Sequence, residues 1–145
     1  MTVEKMTQAH AEAVYAMMQT FYTSPAVHTN GSAEIFHRDI AQCIGDSPYL
    51  EGFVFTEGEI LGGYAMIAKS FSTEYGRPCI WIEDLYLLPA CRGKGYAGQF
   101  FAYLEQAYPN SILRLEVEEE NVPALRAYRK NGFDTMPYLE MKKLL

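Results

Sequence analysis

The residues best suited to chemistry lie in one glycine-rich stretch, CRGKGYAGQF at 91–100. Gly93, Gly95 and Gly98 satisfy the G-x-G-x-x-G spacing with which dinucleotide-binding loops hold a pyrophosphate. Arg92 and Lys94 lie in the same stretch, although that spacing does not require basic residues. Three interpretations follow: a Rossmann-type loop, a pyrophosphate cradle of another kind, or a structural turn that only needs glycine.

The surrounding sequence favours a pyrophosphate cradle. A Rossmann loop follows its strand directly and needs further βαβ units, whereas here Pro-Ala-Cys-Arg precedes Gly93 and too little chain follows. A purely structural turn does not explain Arg92 and Lys94. Backbone N–H groups of a turn that leads into a helix attract phosphate, and arginine can fork onto its oxygens. Glycine lets the ligand approach the backbone closely.

A second segment, ENVPALRAYRKNGF at 120–133, extends this pattern. The loop fits R/Q-x-x-G-x-G/A, with Ala97 in the last position, and the later segment fits N-x-x-A-x-x-x-Y followed by G-F. Together these motifs resemble those of the GNAT superfamily of acyltransferases. The resemblance covers the chain from about Val54 to its end and implies transfer of an acetyl group from acetyl-CoA to an amine.

The resemblance also implies which residues bind acetyl-CoA. The pyrophosphate is expected on the loop, and the pantetheine arm is expected to pair with the strand before it, opposite the strand at 111–118. Tyr128 matches the tyrosine that hydrogen-bonds the CoA sulfur and protonates the thiolate. Asn121 matches a residue that contacts the pantetheine arm, although it can equally be only a helix cap. The expected cofactor-binding residues are Leu85, Tyr86, Leu87, Arg92, Gly93, Lys94, Gly95, Tyr96, Ala97, Gly98, Asn121 and Tyr128.

Catalysis further needs a base. An alkylamine has a pKa of about 10, so at neutral pH it is mostly the ammonium form, which cannot attack a thioester. Glu83, in the strand WIEDL at 81–85, is the first choice, and polyamine acetyltransferases of the resembled family carry a glutamate at the matching position. Apolar neighbours would raise its pKa by desolvation. A structural ion pair or hydrogen bond is the other interpretation of Glu83. Asp84 is the alternative base; strand alternation directs it to the opposite face unless a bulge reverses the parity.

These residues require a sheet with helices to position them. The pattern predicts one α/β domain over 1–145, with elements in the order β-α-α-β-β-β-α-β-α-β and an additional short strand near Phe133. CIWIEDLYLL at 79–88 is apolar on both parities, which is typical of a strand buried on both faces. A helix is expected over Tyr96–Ala107, another from Asn121 to Gly132, and a last strand over 136–145. The resemblance implies a mixed, mostly antiparallel sheet.

Composition narrows the partners. The net charge of -6 lowers the expectation of nucleic-acid binding, and no apolar run reaches the roughly 18–20 residues of a membrane span. Three cysteines without metal-ligand spacing predict no metal site and a reduced, cytoplasmic setting. Acetyl-CoA is the expected cosubstrate, and the chain is compatible with a homodimer.

A small-molecule amine is the preferred acceptor, because acidic and aromatic residues suit a cation. A protein or peptide acceptor, or a non-catalytic acyl-CoA sensor, are the alternatives. His28, in the loop at 23–32, is a further candidate for acceptor contact. The residues expected on the acceptor side are Tyr22, Tyr64, Tyr75, Tyr86 and Glu83.

Overall fold

A five-stranded mixed sheet carries helices on both faces in the computed structural model, which describes residues 1–145. The strands lie side by side in chain order; the first four pair antiparallel, and the fourth pairs with the fifth in parallel. This confirms the predicted α/β fold and the predicted order as far as the last helix. The elements are β1 Thr2–Lys5, α1 Ala11–Tyr22, α2 Ala33–Ile44, β2 Leu50–Glu57, β3 Ile60–Ser72, β4 Arg77–Leu87, α3 Tyr96–Ala107, β5 Ile112–Leu115 and α4 Val122–Lys130.

Capping side chains determine where two helices begin. The Ser32 side chain accepts a hydrogen bond from the N–H of Ile35 (3.2 Å) at the start of α2. The Asn121 side chain accepts one from the N–H of Ala124 (3.3 Å) at the start of α4. Each cap satisfies one of the amides that a first helical turn leaves unpaired. The start at Asn121 agrees with the sequence, and α3 spans the predicted residues.

The sheet separates two apolar cores. The strand residues alternate between them, as the period of two in a strand requires. On one face, α1 and α2 pack through Val14, Met17, Met18, Phe36 and Ile40 against Val54, Tyr64, Met66 and Tyr86. On the other face, α3 packs through Phe100, Phe101 and Leu104 against Phe53, Phe55, Ala65, Ile67, Ile80 and Ile82.

Strand β4 contains one residue more than its partner β3 can pair with. Ile82 lies opposite Ile67 and Asp84 lies opposite Met66, so Glu83 is the additional residue of a β-bulge. The bulge reverses the side-chain alternation. Ile82 therefore packs beneath α3, whereas Asp84 lies on the α1 and α2 side. The sequence left this parity open, and the register resolves it.

The pairing between β4 and β5 ends at the same place. Its last pair is Ile82 with Leu115, and β4 continues to Leu87 without β5 beside it. Strand β5 is shorter than the predicted 111–118, because residues 116–121 turn away toward α4. The edge of β4 that faces β5 is thus unpaired over 83–87.

The prediction of two further strands after α4 is wrong. No strand follows Lys130, neither near Phe133 nor over 136–145. Alternating apolar residues stabilise a strand when one face is buried, but here Leu139 is 89% exposed and Leu144 is 88% exposed. The segment instead lies across the end of the β3–β4 hairpin, where the Tyr138 hydroxyl donates to Glu74 at 2.9 Å.

Glycine at position 63 is required for the close approach of β3 to the end of β4. A Cβ atom there would lie 2.3 Å from the carbonyl oxygen of Tyr86 and 2.9 Å from Leu87 Cδ2. The adjacent Gly62 is itself the additional residue of a second bulge, because Phe55 pairs with Gly63 and Thr56 with Leu61.

Gly63→Ala should therefore destabilise the fold by about 1–3 kcal/mol, the usual effect of an inserted methyl group that forces the backbone to move. Denaturant titration measures the free energy of unfolding. Thr73→Ala, in the exposed hairpin turn, is the matched control and should change it by less than about 0.5 kcal/mol. Equal stability of the two variants would contradict the close approach.

Candidate active site

The glycine-rich loop leads into α3 and leaves its amides free. Gly93 (φ 72°) and Gly95 (φ 81°) are left-handed, and a Cβ atom on either would meet nothing within 4 Å. Gly95 is the N-cap of α3 and offers no capping side chain. The first intrahelical bond runs from the N–H of Gln99 to Gly95 O, so the N–H groups of 96–98 have no acceptor within the protein. Free amides at a helix N-terminus form an anion site.

Two cations flank these amides. Arg92 donates from Nε to Leu87 O at 3.0 Å, which holds its guanidinium beside the end of β4. Lys94 Nζ lies 3.9 Å from Glu57 Oε2, and both side chains are about half exposed, so this ion pair is weak. The loop therefore places two basic side chains beside the positive, N-terminal end of the α3 dipole.

Tyr96 fixes the first turn of α3 to β2. Its ring is buried, and its hydroxyl donates to Glu57 Oε2 at 2.5 Å. This hydrogen bond raises the pKa of Tyr96 to about 12 and lowers the pKa of Glu57. Gly98, one turn further, faces Asn131, whose Oδ1 would lie 2.8 Å from a Cβ at that position. Gly98 thus permits α3 to pack against the end of α4.

Three of the remaining predicted cofactor residues, Leu85, Tyr86 and Leu87, lie in the unpaired stretch of β4. Leu85 and Leu87 face the core beneath α3, whereas Tyr86 is buried on the opposite face. Tyr128, on α4, packs edge-to-face against Phe101 at 6.0 Å between ring centroids. Burial raises the pKa of Tyr128, and its hydroxyl has no hydrogen-bond partner in the protein. Asn121 acts as the cap of α4.

A pocket of about 180 Å³ opens beside the β4 bulge, on the α1 and α2 side. We call it the bulge pocket. The side chain of Asp84 is buried there, with Oδ1 accepting from the Tyr22 hydroxyl (3.0 Å) and Oδ2 from the Tyr64 hydroxyl (2.8 Å). Its lining contains three carboxylates and no basic residue: Tyr22, Asp39, Leu50, Met66, Glu83 and Asp84.

Glu83 extends toward solvent at the bulge pocket. Desolvation, and then the charges of Asp84, Glu140 and Asp39, raise the pKa of Glu83. Because more than a third of its surface is exposed, water screens both effects. Glu83 makes no ion pair and no hydrogen bond with the loop, so it lacks the contacts that a purely structural role would require. Burial raises the pKa of Asp84 more than its two tyrosine donors lower it.

Further carboxylates surround this region. A hydrogen bond with Glu140 of the C-terminal segment, followed by burial, raises the pKa of Glu116 to about 7. His28 lies 2.6 Å from Glu118 (Nε2 to Oε1), which connects the α1–α2 loop to the end of β5. His28 thus pairs with a carboxylate and does not line the bulge pocket.

The sequence missed some of these residues and misplaced another. Asp39 was not predicted as a site residue, because nothing in the sequence distinguishes it from the other polar residues beside the inward-facing apolar positions of α2. Tyr75 is not on the acceptor side; its hydroxyl lies 3.9 Å from Met136 Sδ at the far end of the β3–β4 hairpin. No three histidine, cysteine, aspartate or glutamate side chains, those of the bulge pocket included, are arranged so that they could hold one metal ion. No helix is both long and apolar enough to cross a bilayer.

Comparisons with known proteins agree with this architecture. No curated protein matches the sequence. Solved structures of similar fold include a possible acetyltransferase from Clostridium difficile 630, with 15% identity and a TM-score of 0.82 over 99% of this chain and 97% of that chain. Another is AAC(6')-Iy in complex with the bisubstrate analogue CoA-S-monomethyl-acetylneamine, with 14% identity and a TM-score of 0.78 over 99% and 97% of the two chains. An integron cassette protein of the V. cholerae mobile metagenome has 15% identity and a TM-score of 0.73 over 99% and 91%.

A sequence profile of the acetyltransferase (GNAT) family matches residues 11–133. The match includes both motifs that carried the resemblance, the loop before α3 and the segment around Tyr128, and excludes only the two ends of the chain. The chain therefore belongs to the acetyltransferase (GNAT) family of acetyl-CoA-dependent enzymes.

Proposed function

We propose that the protein transfers the acetyl group of acetyl-CoA to a primary amine of a small cationic molecule, within a ternary complex of both substrates. One observation carries this proposal: the unpaired edge of β4 begins at Glu83, and Glu83 also lines the bulge pocket. An acyl donor paired with that edge would present its thioester beside three carboxylates and no basic residue. Carboxylates attract an ammonium group and disfavour an anionic acceptor.

The loop before α3 would hold the pyrophosphate of acetyl-CoA. The free amides of 96–98 supply hydrogen-bond donors, and Arg92 and Lys94 supply charge. The open space beside Gly93 and Gly95 admits phosphate oxygens to the backbone. The pantetheine amides would then pair with the edge of β4 at Leu85, Tyr86 and Leu87, and Asn121 would border the arm from α4.

Glu83 would accept the proton of the incoming ammonium. The neutral nitrogen then attacks the thioester carbon, forming the C–N bond, and the C–S bond breaks. A backbone N–H near Leu85 would stabilise the developing oxyanion. Tyr128 would donate its proton to the departing sulfur, because its hydroxyl makes no other hydrogen bond. The nitrogen loses a second proton as the amide forms, and this proton restores the Tyr128 hydroxyl. The products are an amide, free CoA thiol and protonated Glu83, which returns its proton to water.

The direct test is release of CoA thiol from acetyl-CoA in the presence of a panel of amines. The panel contains an alkyl diamine, an alkyl monoamine, an amino sugar and a lysine peptide. We expect the fastest release with compact cationic amines, because the bulge pocket is smaller than the roughly 300–1,000 Å³ usual for drug-sized ligands. CoA binding without release from any amine would contradict the proposal and favour a sensor.

Tyr128→Phe should lower kcat by about 100-fold, near the lower limit for loss of a general acid, because a thiolate leaves without assistance more readily than an alkoxide. Affinity for CoA should change little. Tyr103→Phe is the matched control, since it removes a hydroxyl from the same core without touching the β4 edge. Unchanged kcat in Tyr128→Phe would remove the assigned acid role.

Glu83→Gln should change the pH profile of kcat as well as its size. The base works when deprotonated, so kcat should rise with pH through the pKa of Glu83, which desolvation and nearby carboxylates raise above its ordinary value. The variant should lose this acid limb and about 100-fold in kcat. Glu105→Gln, on the exposed side of α3, is the control and should keep the limb. An acid limb that persists in Glu83→Gln would assign the base elsewhere.

A further inference from the structure

Asp84 is the only buried charged side chain of the protein. It is 4% exposed, and it makes no ion pair with any lysine, arginine or histidine. Its two oxygens accept hydrogen bonds from Tyr22 and Tyr64, from α1 and β3 respectively. A buried carboxylate without a cation is unfavourable by several kcal/mol in general, and two neutral donors offset only part of that penalty.

The tyrosine pair fixes the carboxylate and leaves it able to accept more. Each carboxylate oxygen has two lone-pair sites, of which one receives a tyrosine hydroxyl. The others remain available on the side of the bulge pocket, whose lining includes Asp84. A group with several N–H donors and a positive charge would satisfy both needs. An ammonium group has these properties, and a neutral hydroxyl lacks the charge.

Glu83 and Asp84 differ in their suitability as a base. Glu83 is exposed, has no hydrogen-bond partner and can rotate, which suits a group that takes a proton and passes it to water. Asp84 is held at both oxygens by tyrosine donors, which fix its position, and because burial raises its pKa the carboxylate is stabilised as an anion when a cation binds beside it. Because Glu83 and Asp84 both line the bulge pocket, their carboxylates can meet two nitrogens of one compact molecule.

On the basis of the function proposed above, we propose that Asp84, clamped by Tyr22 and Tyr64, binds a second, non-reacting ammonium group of the acceptor and thereby selects short diamines. Asp84 is a specificity residue in this assignment, and the tyrosines position it. The bulge pocket, at about 180 Å³, matches an aminoalkyl arm in size better than it matches a multi-ring amino sugar. Half-buried Asp39, on α2, adds negative charge at the same pocket.

The test compares kcat/KM for two acceptors of equal length, 1,4-diaminobutane and 4-amino-1-butanol, which differ in the group at the far end. The wild-type protein should prefer the diamine by about 10- to 100-fold, the range expected when a hydrogen bond includes a charged group. Asp84→Asn should reduce this preference to within about 3-fold, and the change should lie mainly in the KM for the diamine. Asp46→Asn, an exposed carboxylate outside the pocket, is the charge-matched control and should keep the preference.

Tyr22→Phe provides a second test that retains the charge. Removal of one donor should loosen the carboxylate and reduce the preference by about 3- to 10-fold, and this readout remains if Asp84→Asn does not fold. A thermal melt and CoA affinity check the fold of each variant. Absence of thiol release by the wild-type protein with both amines would refute the proposed function itself.

Release by the wild-type protein with equal kcat/KM for the two amines would overturn only the Asp84 assignment. The same holds if the preference survives in folded Asp84→Asn. An equal loss of kcat with both amines in that variant would also overturn it, because Asp84 would then act on the reacting nitrogen.

Discussion

The register of β4 against its two neighbours is the constraint on which the site depends. On the β3 side the strand gains an additional residue at Glu83, and on the β5 side pairing ends at Ile82. Both changes occur within one residue of each other. The bulge turns Asp84 toward the α1 and α2 core, and the lost pairing exposes the opposite edge of the same strand. The two changes together place a carboxylate pocket and an open edge side by side.

The close packing of β3 supports this irregularity. Gly63 lies so near the Tyr86 carbonyl that no side chain fits between the strands. Gly62, the other bulge, faces Cys91 at the entrance to the glycine-rich loop; a Cβ there would lie 2.9 Å from Cys91 Sγ. Both glycines lie in β3, at the end of the sheet where β4 leads into the glycine-rich loop. The position of the loop relative to the open edge follows from that packing and not from the loop sequence alone.

Local signals carried most of what the sequence could predict. The cap at Asn121, the glycines before α3 and the apolar run of β4 depend on neighbouring residues only, and each agrees with the structure. The parity of Asp84 depends on a pairing register between two strands, which no single segment encodes. The final strand over 136–145 was predicted wrongly, because its alternation is local whereas a strand requires a partner face that the fold does not supply.

Charge separates the two sides of the open edge. The protein is acidic overall, yet Arg92, Lys94 and the free amides of α3 make the loop end positive, whereas Asp39, Glu83 and Asp84 make the bulge pocket negative. A polyanionic donor and a cationic acceptor would be drawn to opposite sides of one strand, with like charges opposing the reverse arrangement. Acetylation removes the positive charge of the reacting nitrogen, so the product would be held less strongly by these carboxylates than the substrate. The same charges that attract the acceptor would therefore favour release of its amide.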